Sequence, residues 1–216
     1  MSITFDNKQK TLQSIVCLGA HSDDIEIGCG GTILRLLENN PNLIVHWIVF
    51  SSYHFRTQEA IKSANLFLNR TERKNIVIKN FQDGYFPYTG AEIKDYFEQL
   101  KRELTPDLIF THYRYDLHQD HRLISELTWN TFRDHFILEY EVPKFDGDLG
   151  SPNFFVHLDE SICKKKITYI LNCFQSQKQK NWFSEDTFFA LLRLRGVESC
   201  APNKFAEAFF CRKIVF

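Results

Sequence analysis

Four short apolar runs recur along the chain: Ser14–Gly19 (SIVCLG), Leu43–Phe50 (LIVHWIVF), Asn75–Ile78 (NIVI) and Asp107–His112 (DLIFTH). Each is too short to form a buried helix and is bounded by polar or turn residues, so each reads as a buried strand. Helical spacing fills the gaps, at Gly30–Asn40, Phe55–Asn69, Ala91–Leu104 and Asp120–Arg133. Thr105-Pro106 ends the third of these. Strands that alternate with helices and carry apolar residues on both faces pack as a parallel sheet covered on both sides. The expected fold is one Rossmann-like α/β domain over residues 1–216, with a mostly parallel sheet. With 216 residues, 44% of them hydrophobic, it has a sizeable core to bury. The 21 phenylalanines are read as core filling.

Open sheets of this kind bind ligands beyond the carboxyl ends of their strands, where the strand order reverses. In the common 3-2-1-4 order, strands 1 and 4 flank that crevice. The segments that follow them are AHSDD (Ala20–Asp24) and THYRYDLHQDHR (Thr111–Arg122). Together they hold His21, His112, His118 and His121 with Asp23, Asp24, Asp116 and Asp120. His21 and Asp24 are three apart on a turn, so both can face one centre. His118 and His121 are three apart at a helix start, on one side of it. Two histidines and one aspartate suit zinc with an open position for water. The adjacent carboxylates then divide the work, one binding metal and the other acting as a base, with the cation offsetting their repulsion. The glycines at Gly28–Gly31 match neither G-x-G-x-x-G, since Ile33 holds its last position, nor a P-loop. Gly30 and Gly31 are expected to let the next helix start close against the metal loop.

The formal net charge of −1 argues against a nucleic-acid partner. The basic run CKKKI (Cys163–Ile167) reads as a solvated helix face. The N-terminal MSITFDNKQKTLQ has no apolar stretch of a secretory signal, and no apolar run approaches ~20 residues, so no membrane span is expected. Six cysteines without a C-x-x-C pair suggest free core thiols in a cytoplasmic protein. Nothing in the sequence sets an oligomeric state, and a homo-oligomer is compatible with it.

AHSDDIEIGCGGTI, followed about a hundred residues later by DLHQDHR, resembles the PIG-L/LmbE family of zinc-dependent de-N-acetylases acting on N-acetylglucosaminyl conjugates. The signature there is A-H-P-D-D-E with downstream G-G, plus a later H-x-D-H. RTQEAIKSANLFL (Arg56–Leu68), FQDG (Phe81–Gly84), KKITYILNCFQSQ (Lys165–Gln177), RLRG (Arg193–Gly196) and KFAEAF (Lys204–Phe209) resemble further family segments in the same order. The resemblance implies His21, Asp24 and His121 as metal ligands and Asp23 as general base. It implies His118 as general acid or oxyanion stabiliser, with Asp120 orienting a histidine. Zinc is the implied cofactor, with iron(II) also compatible, and the implied partner is a small N-acetylated sugar or conjugate. Arg56 and Asp83 match positions that contact the substrate. Two departures stand out: Ser22 replaces the usual Pro, and Ile25 replaces the usual Glu, with Glu26 one place later.

Other residues carry weaker expectations. His54 follows strand 2 at the same rim and is a substrate-contact candidate. Arg56 has an alternative role, pairing with Glu59 or Glu72 on its own helix. Asp116 reads as a turn residue or a partner behind the ligands. His112 sits at the mouth of strand 4 without an assigned role. His46 reads as a satisfied core histidine, and His135 and His157 as surface or strand-end residues. GYFPY (Gly84–Tyr88) and NWFSEDTFF (Asn181–Phe189) are expected to shape the pocket. The rival readings are a binding protein that has lost catalysis, which would need neither Asp23 nor His118, and a hydrolase of another linear amide.

Overall fold

A computed structural model describes residues 12–214. The polar N-terminus read above as lacking a signal lies almost wholly outside these. The elements in chain order are β1 (Ser14–Gly19), α1 (Asp24–Asn39), β2 (Ile44–Val49), α2 (Phe55–Phe67), β3 (Lys74–Ile78), α3 (Gly90–Glu103) and β4 (Leu108–His112). They continue with α4 (Gln119–Thr131), β5 (Phe136–Tyr140), β6 (Phe154–Leu158), α5 (Glu160–Cys173), α6 (Glu185–Glu198) and β7 (Phe205–Phe210). Short 3-10 turns lie at Phe86–Tyr88 and Gln175–Gln177. The sheet order is β3-β2-β1-β4-β5-β7-β6, which contains the expected 3-2-1-4. The first five strands are parallel, and β7 runs antiparallel to both β5 and β6.

Because side chains alternate across a strand, β1 feeds two cores. Ile15 and Cys17 join Trp47, Phe110, Tyr140 and the buried faces of α1, α2, α5 and α6. Val16 and Leu18 join Ile48, Phe50, Ile109 and the buried faces of α3 and α4. Phenylalanine fills both layers; Phe50 stacks on Phe97 with ring centroids 5.2 Å apart. All six cysteines are free, and Cys17, Cys29, Cys163 and Cys173 are buried. No helix among the described residues is long and apolar enough to cross a membrane.

Two sequence expectations are corrected. Helix α1 does not begin at Gly30 but at Asp24, and the glycines sit inside it. A Cβ at Gly28 would lie 2.1 Å from the Tyr140 ring, and one at Gly30 would lie 2.5 Å from Phe67. At Gly31 it would meet Leu158 at 2.6 Å and the Glu207 carboxylate at 2.8 Å. The glycines therefore admit three neighbours against the helix, rather than starting it.

The second correction concerns CKKKI. Lys164 faces solvent, but Lys166 is only 3% exposed. Its Nζ donates to the Ile27 carbonyl and to Glu207 Oε1, both at 2.7 Å. Glu207 in turn accepts from the Gly31 and Thr32 N–H groups at 2.7 and 2.6 Å. This buried pair ties α5 and β7 to the middle of α1. Removing one partner would leave an uncompensated charge in the core.

Candidate active site

Strands β1 and β4 are neighbours, paired from Ile15↔Leu108 to Cys17↔Phe110, and their carboxyl ends open on one crevice. Beyond β1 the chain turns sharply into α1. The His21 N–H donates to Asp24 Oδ2 at 2.6 Å, closing the turn and placing both side chains toward β4. Beyond β4, α4 begins at Gln119, with His118 as its N-cap. His118 Nδ1 accepts from the Asp120 N–H at 3.3 Å. A neutral His118 therefore carries its proton on Nε2, the nitrogen left for the crevice.

His21, His121 and Asp24 converge. His21 Nδ1 lies 3.1 Å from His121 Nε2 and 3.4 Å from Asp24 Oδ2, and His121 Nε2 lies 3.5 Å from Asp24 Oδ1. The far nitrogen of each ring is occupied. His121 Nδ1 meets Asp116 Oδ2 at 2.9 Å, and His21 Nε2 meets Asp83 Oδ1 at 3.1 Å and Asp120 Oδ2 at 3.3 Å. With protons on those far nitrogens, His21 Nδ1 and His121 Nε2 face each other beside a carboxylate, an arrangement that either a shared proton or a metal ion satisfies. Ligand atoms ~2.0–2.1 Å from zinc at tetrahedral angles stand about 3.3 Å apart; the two facing nitrogens have about that spacing, and Asp24 turns Oδ2 to His21 and Oδ1 to His121. His118 belongs to the same group of donors, within 4.8 Å of His21 and His121.

His112 is also near, within 4.8 Å of Asp24 and His121. Its Nε2 already accepts the Ala20 N–H at 2.9 Å, so that lone pair is taken. The ring stacks on His121 with centroids 3.9 Å apart and touches the Tyr140 hydroxyl at 3.2 Å. His112 is thus a buttress under the cluster, and Gly28 is the gap that admits Tyr140.

The electrostatics favour positive charge at the centre. Burial presses the His21 pKa down, but Asp24, Asp120 and Asp83 outweigh it and hold it well above the ordinary value of 6.5. Burial, then the neighbouring His112, lowers His121 to about 4. Asp24 resists its burial through His121, His112 and His21 and stays well below the usual carboxylate range. Asp23 is displaced the other way, upward, by burial and by Asp24, with Arg56, His21 and Lys180 pulling against them. Its carboxylate is held by no side-chain cap of α1 and stands 3.7 Å from Arg56 Nη2. Burial, followed by the His21 charge, lowers His118, so it is neutral near pH 7.

A cavity of about 240 Å³ opens above these groups. His21, Asp23, Asp24, His118 and His121 form its floor, with Arg56 and Asp83 among its other lining residues. Asp83 is tied to His21 and stands 3.5 Å from Arg56, and these partners lower its pKa to about 2. Arg56 does not pair with Glu59, which instead accepts from the Ser176 N–H and hydroxyl at 3.0 and 2.6 Å. His54 is exposed, outside the cavity lining, and takes a positive φ of 51° at the turn into α2. Gly84–Tyr88 does not wall the cavity; its Gly84 and Phe86 N–H groups fix Asp120 at 2.7 and 3.2 Å. Trp182 does line it, as expected of its segment, and is joined by Lys180, Lys144 and Phe145, which the sequence reading passed over.

Of the remaining residues, His46 differs from expectation, while His135 and His157 sit at or near strand ends. His46 is half-buried rather than satisfied, with Nδ1 unpartnered among the described residues. His135 pairs with the adjacent Asp134, and His157 lies in the outer strand β6. Glu26 is fully buried, neither carboxyl oxygen has a hydrogen-bond partner among the described residues, and burial pushes its pKa well up. The displaced glutamate therefore leaves the donor cluster untouched.

The fold agrees with known proteins. N,N'-diacetylchitobiose deacetylase from Pyrococcus horikoshii superposes with a TM-score of 0.70 at 20% identity, over 95% of this chain and 86% of its own. A conserved protein from Thermus thermophilus gives 0.74 at 19% identity, over 95% and 97%. The 4-carboxy-2-hydroxymuconate hydratase of Pseudomonas putida gives 0.74 at 16%, over 95% and 98%. The fold thus serves more than one named reaction. The family model described as GlcNAc-PI de-N-acetylase matches residues 16–132, more than half of the chain, from within β1 to the end of α4. The chain belongs to this PIG-L family.

Proposed function

We propose that this chain is a zinc-dependent N-deacetylase that hydrolyses the acetamide of an amino sugar or amino-sugar conjugate. The observation that carries the reading is the trio His21, Asp24 and His121, whose facing donor atoms lie 3.1–3.5 Å apart while Asp116, Asp83 and Asp120 occupy the far ring nitrogens. These three residues would hold the ion, zinc by its nitrogen and oxygen donors, with iron(II) the other fit. When bound, such an ion lowers the pKa of water from 15.7 toward ~7 and polarises the amide carbonyl.

Asp23 is the group placed to take the proton of the attacking water. It is buried, it is free of a capping bond, and its raised pKa makes it a stronger base than an ordinary carboxylate. Its neighbour Asp24 faces the histidines and is not available for this. His118 Nε2–H points to the crevice and stabilises the charge that develops on the amide oxygen. The same proton can pass to the departing amine, leaving acetate and the free amino sugar. Asp120 holds His21 in register from behind. The six free cysteines support the cytoplasm as its compartment.

The test is acetate release from a panel of N-acetyl sugars by zinc-loaded protein. Asp23→Asn should lower kcat by roughly 10²–10⁴-fold while zinc stays bound. Metal binding without acetate from any member of the panel, together with an unaffected Asp23→Asn variant, would leave a binding protein instead.

A further inference from the structure

Val142, Lys144, Phe145 and Asp146 line the cavity from one loop, residues 141–150, which has neither helix nor strand of its own. The tip of this loop is docked on the segment that leads into α4. Lys144 Nζ pairs with Asp116 Oδ2 at 3.0 Å and with Asp148 Oδ2 at 2.5 Å. Asp116 Oδ2 is the atom that meets His121 Nδ1, and Asp148 Oδ2 also accepts the Leu117 N–H at 2.7 Å. The base of the loop is held differently. Arg195, on α6 and outside the cavity lining, is buried. Its Nε and Nη2 donate to the two Glu141 carboxylate oxygens at 2.7 and 2.6 Å, and Nη2 donates again to the Gly150 carbonyl at 3.2 Å. Its Nη1 donates to both oxygens of Glu198, at 2.9 and 2.8 Å, which fixes the guanidinium on its own helix. One guanidinium thus joins the two ends of the loop, the arrangement of a compact Ω-loop.

Every residue fixed in a loop costs conformational entropy. An ion pair at a cavity wall, such as Lys144 with Asp116, offsets little of that cost. A buried bidentate pair of arginine and carboxylate is stronger and directional. We propose that Arg195 is a positioning residue: it closes the base of loop 141–150 and so keeps Lys144 on Asp116 and Val142 and Phe145 in the cavity wall. It touches neither the donor cluster nor the cavity and acts only through the loop. The kinetic consequence rests on the deacetylase reading, whereas the closure of the loop does not. In that reading His21, Asp23, Asp24 and His121 stand on α1, α4 and the turn before α1, not on the loop. Opening the base therefore loosens the grip on the sugar and leaves the reacting groups in place.

The experiment combines trypsin cleavage with kinetics on zinc-loaded protein. Arg195→Ala leaves the Glu141 carboxylate buried without its cation, so Arg195→Met/Glu141→Leu, which removes both charges, is measured beside it. Urea unfolding selects the variants that remain folded. The Lys144 side chain is only 10% exposed while it pairs with Asp116, which protects the bond after it from trypsin. In the folded variants cleavage after Lys144 should run at least about tenfold faster than in the parent chain and precede every other cut, because the loop opens locally. With methyl N-acetylglucosaminide KM should rise about tenfold while kcat stays within about threefold. Phe145→Ala should raise KM in the parent chain and add little once Arg195 is replaced, since both changes act through one loop. A residue that only stabilises the core lowers the urea midpoint and moves neither KM nor the first cleavage site. Unaltered cleavage after Lys144 in the folded variants, or an opened loop with an unchanged KM, overturns the inference and leaves deacetylation standing. Should no acetamido sugar release acetate, cleavage decides alone: rapid cutting after Lys144 upholds the clamp while the deacetylase reading falls, and unaltered cutting removes both.

Discussion

Asp116 Oδ2 stands 2.9 Å from His121 Nδ1, and both groups are buried. The Asp116 pKa lies well below the ordinary carboxylate value, because His121, Lys144 and His112 together outweigh its burial. An ionised Asp116 can only accept, so it fixes the proton of His121 on Nδ1 and turns Nε2 toward His21 and Asp24. Asp116→Asn keeps the shape but weakens that constraint on the tautomer. We expect zinc affinity to fall by about 10–100-fold, read by competition against a chelator of known affinity. An unchanged affinity would mean that the ring is held by packing alone.

The His21–His121 pair dictates how metal-free protein responds to pH. His121 is lowered to about 4, so between that value and 6.5 the unfolded chain binds a proton that folded His121 refuses. Stability is lost as pH falls through that window. His21 is raised well above 6.5, so folded His21 keeps a proton that the unfolded chain has released. Its contribution is full below 6.5 and is lost as pH rises through the folded value. The folded pair holds one proton where the unfolded pair holds two, one or none, which places the maximum near 6.5. Urea midpoints of chelator-stripped protein should peak there. With zinc bound the pair holds no proton, and the midpoint should keep rising with pH instead.

Lys166 tests the buried pair behind the site. Lys166→Ala leaves Glu207 charged, 3% exposed and without its cation. We expect a loss of about 3–5 kcal/mol in urea unfolding. Lys144, which lines the cavity and pairs with Asp116 and Asp148, offers a comparison from a less enclosed setting.

Gly28 links core packing to the cluster. Gly28→Ala drives a methyl into the Tyr140 ring, whose hydroxyl donates to the Leu18 carbonyl at 2.6 Å and touches His112. A cost of about 1–3 kcal/mol is expected from such overpacking. Zinc affinity should fall with it, because His112 stacks directly on His121. Unfolding free energy and zinc titration on one preparation separate the two effects.

The parallel half of the sheet is legible in the sequence because β1 to β4 are apolar on both faces and punctuated by helices. The donor cluster is legible because its members fall in two short segments that the topology makes neighbours. What is hidden depends on distant partners. The glycines of α1 read as a helix start because Tyr140, Phe67 and Glu207, which require them, come from other parts of the chain. Lys166 reads as solvated beside Lys164 and Lys165, since its partner is 41 residues away. β5, β6 and β7 have no distinct signature: FILEY and FAEAFF bury glutamates, which alternation alone assigns to solvent. Asp116 and His112 lie in the right loop, but their functions come from ring orientation, which spacing does not encode.

The account stands most directly on acetate release measured against zinc added to chelator-stripped protein, with an N-acetylglucosaminide as substrate. We predict release that is absent without the ion, grows in proportion to zinc bound and saturates at about one ion per chain, with His121→Ala abolishing both binding and release. Full release from the stripped protein, or saturating zinc with no acetate formed from any acetamido sugar, would contradict it.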